Sequence, residues 1–447
     1  MVTLAEIRRE WTPMLRLATP LAVAELGWMA MGFVDTVMAG RLGPAALGAG
    51  SLGQSLFFPI AICGSGLLLG LDTLVSQAFG AKNEPDCRRS LVAGLWMALG
   101  VAPVVAAALW GSVAVVRAAG TNPNVVELLG PFVLALIPGI WPLLIFSALR
   151  RYLQARNIAK PITFAVVSAN VINFAGNWVL MFGHWGAPRM GLTGSGWSTS
   201  IARFYIAAVL AAATILHERK HGYLLFRVKR SPDLARIREL FRLGVPSALQ
   251  IVIEGAIFSV ATVLASKLDE ISLAAHSIAV NVISVTYMVP LGISAAAAVR
   301  VGQAVGRKDR RGVSAAGWTA LLESALFMGS AGLVLAIVPR AVVRLYTGHA
   351  MTIAGGAVLL RIAAVFELFD GFQVVAMGAL RGLGDTRTPV VAHLVGYWAI
   401  GMPVTYLLCF QAGWGVRGIW TGLSMALVLI GAALLVVWRH RTAHARG

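Results

Sequence analysis

Long apolar segments recur along the whole 447-residue chain, and each is long enough to cross a lipid bilayer as a helix. A membrane helix needs about 20 mainly apolar residues to span roughly 30 Å of hydrocarbon. Continuous apolar runs do not suit membrane β-strands, which alternate lipid-facing with lumen-facing residues. We therefore predict an all-α integral membrane protein with twelve transmembrane helices. The predicted spans are 13–39, 47–79, 90–117, 125–149, 160–182, 192–216, 236–265, 272–305, 314–338, 351–380, 388–411 and 415–438.

The overall composition agrees with this prediction. The chain is 58% hydrophobic and 13% charged, whereas a soluble domain carries roughly 25% charged residues. So few charges could not cover the surface of a soluble chain of this length.

The sequence also repeats itself at a constant offset of 226 positions. Apolar matches mean little in such a chain, but matching Arg, Pro, Gln and Gly residues at one offset indicates a duplication. The repeated motifs are 16–20 with 242–246, 36–39 with 262–265, and 77–82 with 303–308. We predict two six-helix bundles in parallel orientation, an N-lobe at 1–225 with helices one to six and a C-lobe at 226–447 with helices seven to twelve. Such repeats are typical of secondary transporters, whose site lies between the halves.

The net charge of +18 follows the positive-inside pattern. Basic clusters fall in the predicted cytoplasmic segments, whereas the predicted outer loops hold few basic residues. The outer set is Arg41, Arg117, Arg189, Lys267, Arg340, Arg344 and Arg417. This distribution predicts cytoplasmic N- and C-termini, and it requires lipid headgroups but no nucleic acid as partner.

Motifs for nucleotide hydrolysis and for serine hydrolases do not occur in the sequence. It holds no P-loop and no Gly-x-Ser-x-Gly. Cys63, Cys87 and Cys409 have no spacing typical of a metal site or a disulfide. No cleavable signal precedes the first span. We expect neither an enzyme nor a bound metal or cofactor.

Ionisable residues inside the spans are the candidates for function, because burying them costs several kcal/mol without a partner or water. They are Glu25, Asp35, Asp72, Glu254, Glu323, Glu367 and Asp370. On the repeat, Glu254 falls opposite Trp28, and Asp35 lies seven residues further along. Seven residues are two helical turns, so both acids occupy nearly the same face of equivalent helices.

Span ten carries two acids, Glu367 and Asp370, at an i, i+3 spacing that places both in one sector of the helix. Carboxyl groups so arranged can carry a proton or hold a cation. We expect Glu254 and Asp370 to be the functional pair of the second half.

Span five carries a stripe of three amides, Asn170, Asn173 and Asn177. Amide oxygens can coordinate Na⁺ beside a carboxylate. They can equally join helices by hydrogen bonds. The spacing alone leaves both interpretations open.

Together these features resemble the multidrug and toxic compound extrusion (MATE) family. Its most specific motif here is Leu-Arg-Gly-Leu-Gly-Asp-Thr-Arg-Thr-Pro at 380–389, and the other marks are Pro20, Asp35 and Glu254 in a duplicated chain. Because both Glu254 and Asp370 occur, the chain is similar to the NorM type. Two positions differ from some members: Met181 replaces a second acid, and Phe366 replaces a tyrosine.

The resemblance implies a V-shaped antiporter of a bacterial inner membrane that exports cationic, amphipathic drugs as a monomer. The coupling ion would be Na⁺ or H⁺. The implied ion-binding residues are Asp35, Asn173, Asn177, Thr199, Glu254 and Asp370. The implied substrate cavity holds Glu254, Phe366, Glu367 and Asp370. Pro20 is the predicted conformational hinge, since proline removes a helical hydrogen bond.

Two other functions stay open at this point. A lipid-linked oligosaccharide flippase of the same superfamily would line its cavity with Arg or Lys, yet away from the ends of the spans only Arg203 and Arg361 occur. A membrane enzyme acting on lipids would cluster catalytic residues at one membrane face, yet the eight histidines are scattered.

Overall fold

The computed structural model describes residues 3–221 and 231–444. Within these ranges, twelve helices are long and apolar enough to cross a membrane, which confirms the predicted all-α fold and its number of spans. They are α1 Leu4–Gly40, α2 Pro44–Gly80, α3 Glu84–Ala118, α4 Pro123–Ala155, α5 Lys160–Phe182, α6 Leu192–Lys220, α7 Leu234–Ala265, α8 Glu270–Gly306, α9 Arg310–Ile337, α10 Ala350–Leu383, α11 Arg387–Gln411 and α12 Val416–Ala443.

Several of these helices depart locally from regular α-helical geometry. α2 is interrupted between Leu67 and Gly70, and α4 tightens into a 3₁₀ turn at Ile137–Gly139, where Pro138 removes a backbone donor. α11 contains two π-helical stretches, Leu394–Gly401 and Leu407–Gln411. Since π-helical turns often accompany functional sites, the residues next to them are of interest.

The duplication is visible in the backbone of the turns that follow α2 and α8. Lys82 and Lys308, 226 positions apart, both adopt the left-handed conformation, with φ of 57° and 58°. The next residue caps the following helix in each case. Asn83 Oδ1 accepts from Asp86 N at 3.2 Å, and Asp309 Oδ1 accepts from Gly312 N at 2.8 Å. The matched motifs therefore build the same turn twice.

The chain forms two compact units, Val23–Ala248 and Met1–Ala22 with Leu249–Gly447. We call them the first and the second unit. The divisions within α1 and α7 are 226 positions apart, and each lies two residues beyond a proline, Pro20 or Pro246. The predicted lobe boundary at 225/226 stays a prediction, because residues 222–230, with Arg227, Lys229 and Arg230 of the predicted cytoplasmic connection, lie outside the described residues.

A close helix crossing built on a glycine occurs at equivalent positions of the two units. In the first unit, a Cβ on Gly66 would lie 2.7 Å from Ala248 Cα. In the second unit, a Cβ on Gly292 would lie 2.5 Å from Ala22 N. These two pairs are again related by 226 positions. Small residues allow such backbone approach between membrane helices, so the crossing is a repeated element of the fold.

The first unit also contains a buried ionic network near the end of α6. Glu218 accepts from Arg88 Nε at 2.7 Å and from the Tyr152 hydroxyl at 2.8 Å, and it pairs with Arg156. Outside the spans, the hydrogen bond from Arg89 to Asp233 holds the pKa of Asp233 below its usual value. In the second unit, Asp385 pairs with Arg441 at 2.9 Å, and Arg441 is 58% exposed.

Candidate functional site

The seven intramembrane acids fall into two groups according to their partners. Glu25 pairs with Arg150, and Asp72 accepts from Arg151 at 3.2 Å and from Gln154 at 2.6 Å. Among the described residues, no Arg or Lys forms an ion pair with the other five, Asp35, Glu254, Glu323, Glu367 and Asp370. A carboxyl group without a permanent cationic partner can exchange a proton or a cation. These five acids are therefore the candidates for binding a proton or a cation.

Asp35 lies at the centre of a cluster that joins α1, α5 and α6, which we call the Asp35 cluster (Asp35, Asn173, Asn177 and Thr199). Asp35 Oδ1 accepts from Asn177 Nδ2 at 2.6 Å, and Oδ2 accepts from Thr199 Oγ1 at 3.1 Å. Asn173 Nδ2 donates to Thr199 Oγ1 at 3.3 Å. All four side chains are buried. The structure thus brings together the four predicted residues of the first half, while Asn170 instead bonds the Gly27 carbonyl.

The Asp35 cluster contains the types of oxygen ligand that bind a small hard cation. It offers a carboxylate, a hydroxyl and amide oxygens, the ligands that Na⁺ accepts. Asn177 Oδ1 is buried and lacks a hydrogen-bond partner among the described residues, so one oxygen is free to coordinate. In this arrangement the amide nitrogen of Asn177 faces Asp35, and a cation would require the amide to turn.

Arg203 adds a positive charge to the surroundings of Asp35, one helical turn beyond Thr199 on α6. Its guanidinium lies 4.1 Å from the centre of the Phe57 ring and acts electrostatically on Asp35. Arg203 is buried, and its Nε and Nη1 atoms have no hydrogen-bond acceptor in the described part of the chain. The positive charge of Arg203 therefore disfavours the binding of a second cation near Asp35.

An aromatic cavity of about 370 Å³ lies beside the Asp35 cluster, between α1 and α5. Trp178 forms one wall, and the His184 ring stacks on it at 3.9 Å between ring centres. Arg41 is the charged side chain among the described residues that line the cavity. The full lining is Phe33, Val34, Val37, Met38, Arg41, Phe174, Trp178, Phe182 and His184.

Glu254 on α7 is the centre of the corresponding site in the second unit, which we call the Glu254 cluster (Gln250, Glu254, Tyr287, Gln373, His393 and Tyr397). Glu254 Oε2 accepts from Gln250 at 2.8 Å. Glu254 Oε1 accepts from Gln373 at 2.9 Å and from the Tyr287 hydroxyl at 3.4 Å. His393 Nε2 lies 3.8 Å from Oε2. The acid therefore has neutral donors from α7, α8 and α10 and an imidazole from α11.

Glu367 and Asp370 are both buried on α10. Glu367 Oε1 accepts from Thr286 at 3.0 Å, and Oε2 has no partner among the described residues. None of the hydrogen bonds between described residues reaches the carboxyl group of Asp370. Glu254 and Glu367 both act on it electrostatically, so three acids share one region of the second unit.

Phe366 is fully buried and stacks on Trp420, with 5.9 Å between ring centres. Its role as a wall of the substrate cavity stays a prediction. Pro20 lies inside the continuous helix α1, and its role as a hinge likewise stays a prediction.

A comparison with protein-family models identifies the fold family. The MatE model matches residues 20–179 and 246–407, which together make up more than half of the chain. The chain belongs to the MatE family. The two matched segments begin 226 positions apart, in agreement with the duplication.

Curated MATE relatives extend over nearly the whole chain. The probable multidrug resistance protein NorM of Mesorhizobium japonicum is 37% identical, over 97% of this chain and 94% of its own length. The multidrug resistance protein NorM of Burkholderia vietnamiensis is 37% identical, over 95% of this chain and 92% of its own. This protein is therefore a MATE transporter of the NorM type and not an enzyme.

Solved structures confirm the fold. The crystal structure of a eukaryotic MATE transporter, AtDTX14, matches with a TM-score of 0.87 at 22% identity and covers 99% of each chain. At this identity the likeness establishes the MATE fold alone.

Sequence reasoning about this MATE chain missed several partners of the acids. Tyr287, Gln373, His393 and Tyr397 come from three helices and share no period with Glu254. The position of Arg203 near Asp35 could have been predicted from the sequence, because Arg203 lies one turn from Thr199 on the same helix face. Glu323 was a candidate by composition, and both of its oxygens are buried without a partner in the described residues.

Proposed function

We propose that this MATE transporter is a secondary active multidrug efflux pump, which exports cationic amphipathic compounds in exchange for Na⁺ or H⁺. The observation that carries this proposal is a buried acid in each unit, Asp35 and Glu254, held by hydrogen bonds and lacking an Arg or Lys ion pair among the described residues. Such acids can bind a coupling cation, a proton or a cationic drug in turn. The names of the relatives support the drug as cargo.

The mechanism is competition between ligands for two conformations of the transporter. The coupling cation binds better in one conformation and the drug in the other. Each ligand can shift the equilibrium only by its differential affinity for the two states. Binding the coupling ion therefore favours release of the drug.

The first unit supports Na⁺ as one coupling ion. Asp35 provides the charge, and the amide oxygens of Asn173 and Asn177 provide hard ligands that cannot carry a proton at neutral pH. The hydroxyl of Thr199 completes the set. Arg203 weakens the attraction for Na⁺, so we expect modest affinity and competition by protons at the same carboxylate.

Pro20 and Pro246 are the proposed bending points of α1 and α7. Each lies two residues before the division between the compact units. Because proline leaves one helical carbonyl without its donor, bending costs less there than elsewhere in the helix.

The pump is proposed to act as a monomer in a bacterial inner membrane, with both termini in the cytoplasm. The basic clusters in alternate connections support this orientation. Lipid headgroups are the partners that those clusters require.

A flippase for lipid-linked oligosaccharides is less well supported. A pyrophosphate headgroup calls for several basic side chains, whereas Arg150 and Arg151 are occupied by Glu25 and Asp72. The unpaired acids of the second unit would repel such a headgroup.

Dye efflux from proteoliposomes tests the proposal. Liposomes loaded with ethidium would receive an outside Na⁺ gradient or an imposed pH gradient, one at a time, and a parallel set would carry a fluorescent lipid-linked pyrophosphate. We expect gradient-driven loss of ethidium above that of protein-free liposomes. Movement of the lipid without movement of the dye would overturn the proposal.

A further inference from the structure

His393 on α11 is a buried imidazole whose two nitrogens have very different surroundings. Nδ1 lies 2.7 Å from the Pro389 carbonyl oxygen, which can only accept a hydrogen bond. Nδ1 therefore carries a hydrogen, and in the neutral ring Nε2 carries a lone pair. Nε2 is buried and has no hydrogen-bond partner among the described residues.

An acid lies close to Nε2. Nε2 and Glu254 Oε2 are 3.8 Å apart, and both belong to buried side chains. A neutral imidazole and an ionised carboxylate would face each other as two acceptors, an unfavourable arrangement away from water. One proton removes this conflict, because it makes either the acid or the imidazole a donor.

We propose that Glu254 and His393 together bind one exchangeable proton and form the proton-binding site of the second unit. This inference deepens the proposed antiport and rests on it. The proton resides on Glu254 Oε2 or on His393 Nε2, and its release leaves a carboxylate and a neutral imidazole. The pair thus changes from net neutral to a charge of −1, with no other bond made or broken.

The surroundings of the pair favour this exchange. Gln250 on α7, Gln373 on α10 and Tyr287 on α8 donate to Glu254 and are neutral. Asp370 on α10 acts electrostatically on Glu254, and the Tyr397 ring lies edge-on to His393 with 5.5 Å between centres. Proton release therefore leaves a buried negative charge without an Arg or Lys partner among the described residues, a state that a cationic drug would stabilise. Drug binding and proton release are coupled in this way.

His276 is also buried in this unit, and its hydrogen bonds are those expected of a structural histidine. Its Nε2 lies 3.0 Å from Thr262 Oγ1, and its Nδ1 accepts from Trp420 Nε1 at 3.1 Å. Both nitrogens have neutral partners, so His276 needs no additional proton. It is a matched control for His393 in burial and residue type.

The test measures ethidium binding and proton release by the purified full-length protein in weakly buffered detergent between about pH 5 and 9. His393→Gln places an amide where the lone pair was. That amide can donate to Glu254 and so favours the carboxylate. We expect the midpoint of the pH dependence of binding to fall by about one pH unit, a tenfold loss of proton affinity. Glu254→Gln should remove this pH dependence, and His276→Gln should leave it unchanged.

An unchanged midpoint in His393→Gln, or equal shifts in His393→Gln and His276→Gln, would overturn the proposal. Nitrogen NMR of ¹⁵N-histidine-labelled wild type tests it without a variant at the site, with His393→Gln used only to assign the signal. The neutral His393 ring should carry its hydrogen on Nδ1, and the opposite tautomer would contradict the proposal. Failure here with intact gradient-driven ethidium efflux rejects the proton site alone, whereas loss of efflux in wild type rejects the antiport itself.

Discussion

Asp35 and Glu254 lie on equivalent helices of a duplicated chain, α1 and α7, yet the partners in the Asp35 cluster and the Glu254 cluster differ in kind. Asp35 is surrounded by amides and a hydroxyl, with the buried guanidinium of Arg203 near it. Glu254 has amides and a phenol, and in addition an imidazole and a second acid. The first set suits a hard cation, and the second suits a proton. Duplication has kept the helix face of the acid, while the partners from other helices determine which ion it accepts.

The backbone turns and the helix crossings have diverged much less. The turns at Lys82 and Lys308 have the same backbone conformation, and the crossings at Gly66 and Gly292 have the same close approach. These turns and crossings form a frame that is repeated in the two units, whereas the side chains of the acid sites are not repeated. Variants of the frame should behave alike in the two units, and variants of the acid sites should not.

Asp35→Asn should have the largest effect on transport. The amide side chain can still bond Asn177 and Thr199, but it carries neither a charge nor a proton. Gradient-driven efflux should fall to the rate of protein-free liposomes while the amount of protein in the membrane stays normal. Glu127→Gln, which neutralises an exposed acid of α4, should retain wild-type efflux. Wild-type transport by Asp35→Asn would remove this residue from the coupling mechanism.

The Asp35 cluster could be predicted from the sequence, whereas most of the Glu254 cluster could not. The amides of α5 share one helix face, and the resemblance to the MATE family connected them with Asp35. Partners of Glu254 such as Gln373 and His393 lie far along the chain on helices without a polar stripe, so only packing reveals them. For the same reason the sequence could not separate Glu25 and Asp72, which have arginine partners, from the acids without one.

Glu218→Gln tests whether the ionic network of the first unit stabilises it more than the surface pair stabilises the second unit. Glu218 is buried between Arg88 and Arg156, and its neutralisation removes one of the two acids that these buried guanidinium groups share, the other being Glu84. We expect a loss of about 3 kcal/mol in the free energy of unfolding. Asp385→Asn removes a pair with exposed Arg441 and should cost less than about 1 kcal/mol. Thermal unfolding in detergent measures both, and equal losses would contradict the distinction.

Gly66→Val and Gly292→Val test the shared frame. Each side chain would collide with the backbone of a neighbouring helix, at Ala248 or Ala22. Overpacking of this kind costs about 1–3 kcal/mol, and the two variants should lose similar stability. Gly32→Val is the control, because a Cβ at Gly32 meets no atom within 4 Å. If only one of the two variants loses stability, the helix crossing does not contribute equally to the stability of the two units.

Glu254→Gln and Asp370→Asn should have a smaller effect, on ligand selectivity. If these acids attract cationic drugs, either change should weaken binding of a cation about tenfold, or about 1.4 kcal/mol, and that of a neutral analogue much less. Isothermal titration of the purified variants with a matched cation and neutral compound measures the difference. An equal loss for both ligands would indicate a packing defect instead.

The effect of Na⁺ on efflux across a range of pH tests most directly whether the Asp35 cluster accepts a metal cation. Ethidium-loaded proteoliposomes would receive external Na⁺ at a series of pH values, with equal pH on both sides and Asp35→Asn as the background. The account predicts that Na⁺ accelerates efflux and that the gain shrinks as pH falls and protons occupy Asp35. Efflux that ignores Na⁺ over the whole pH range, yet follows an imposed proton gradient, would contradict the account and leave a proton antiporter.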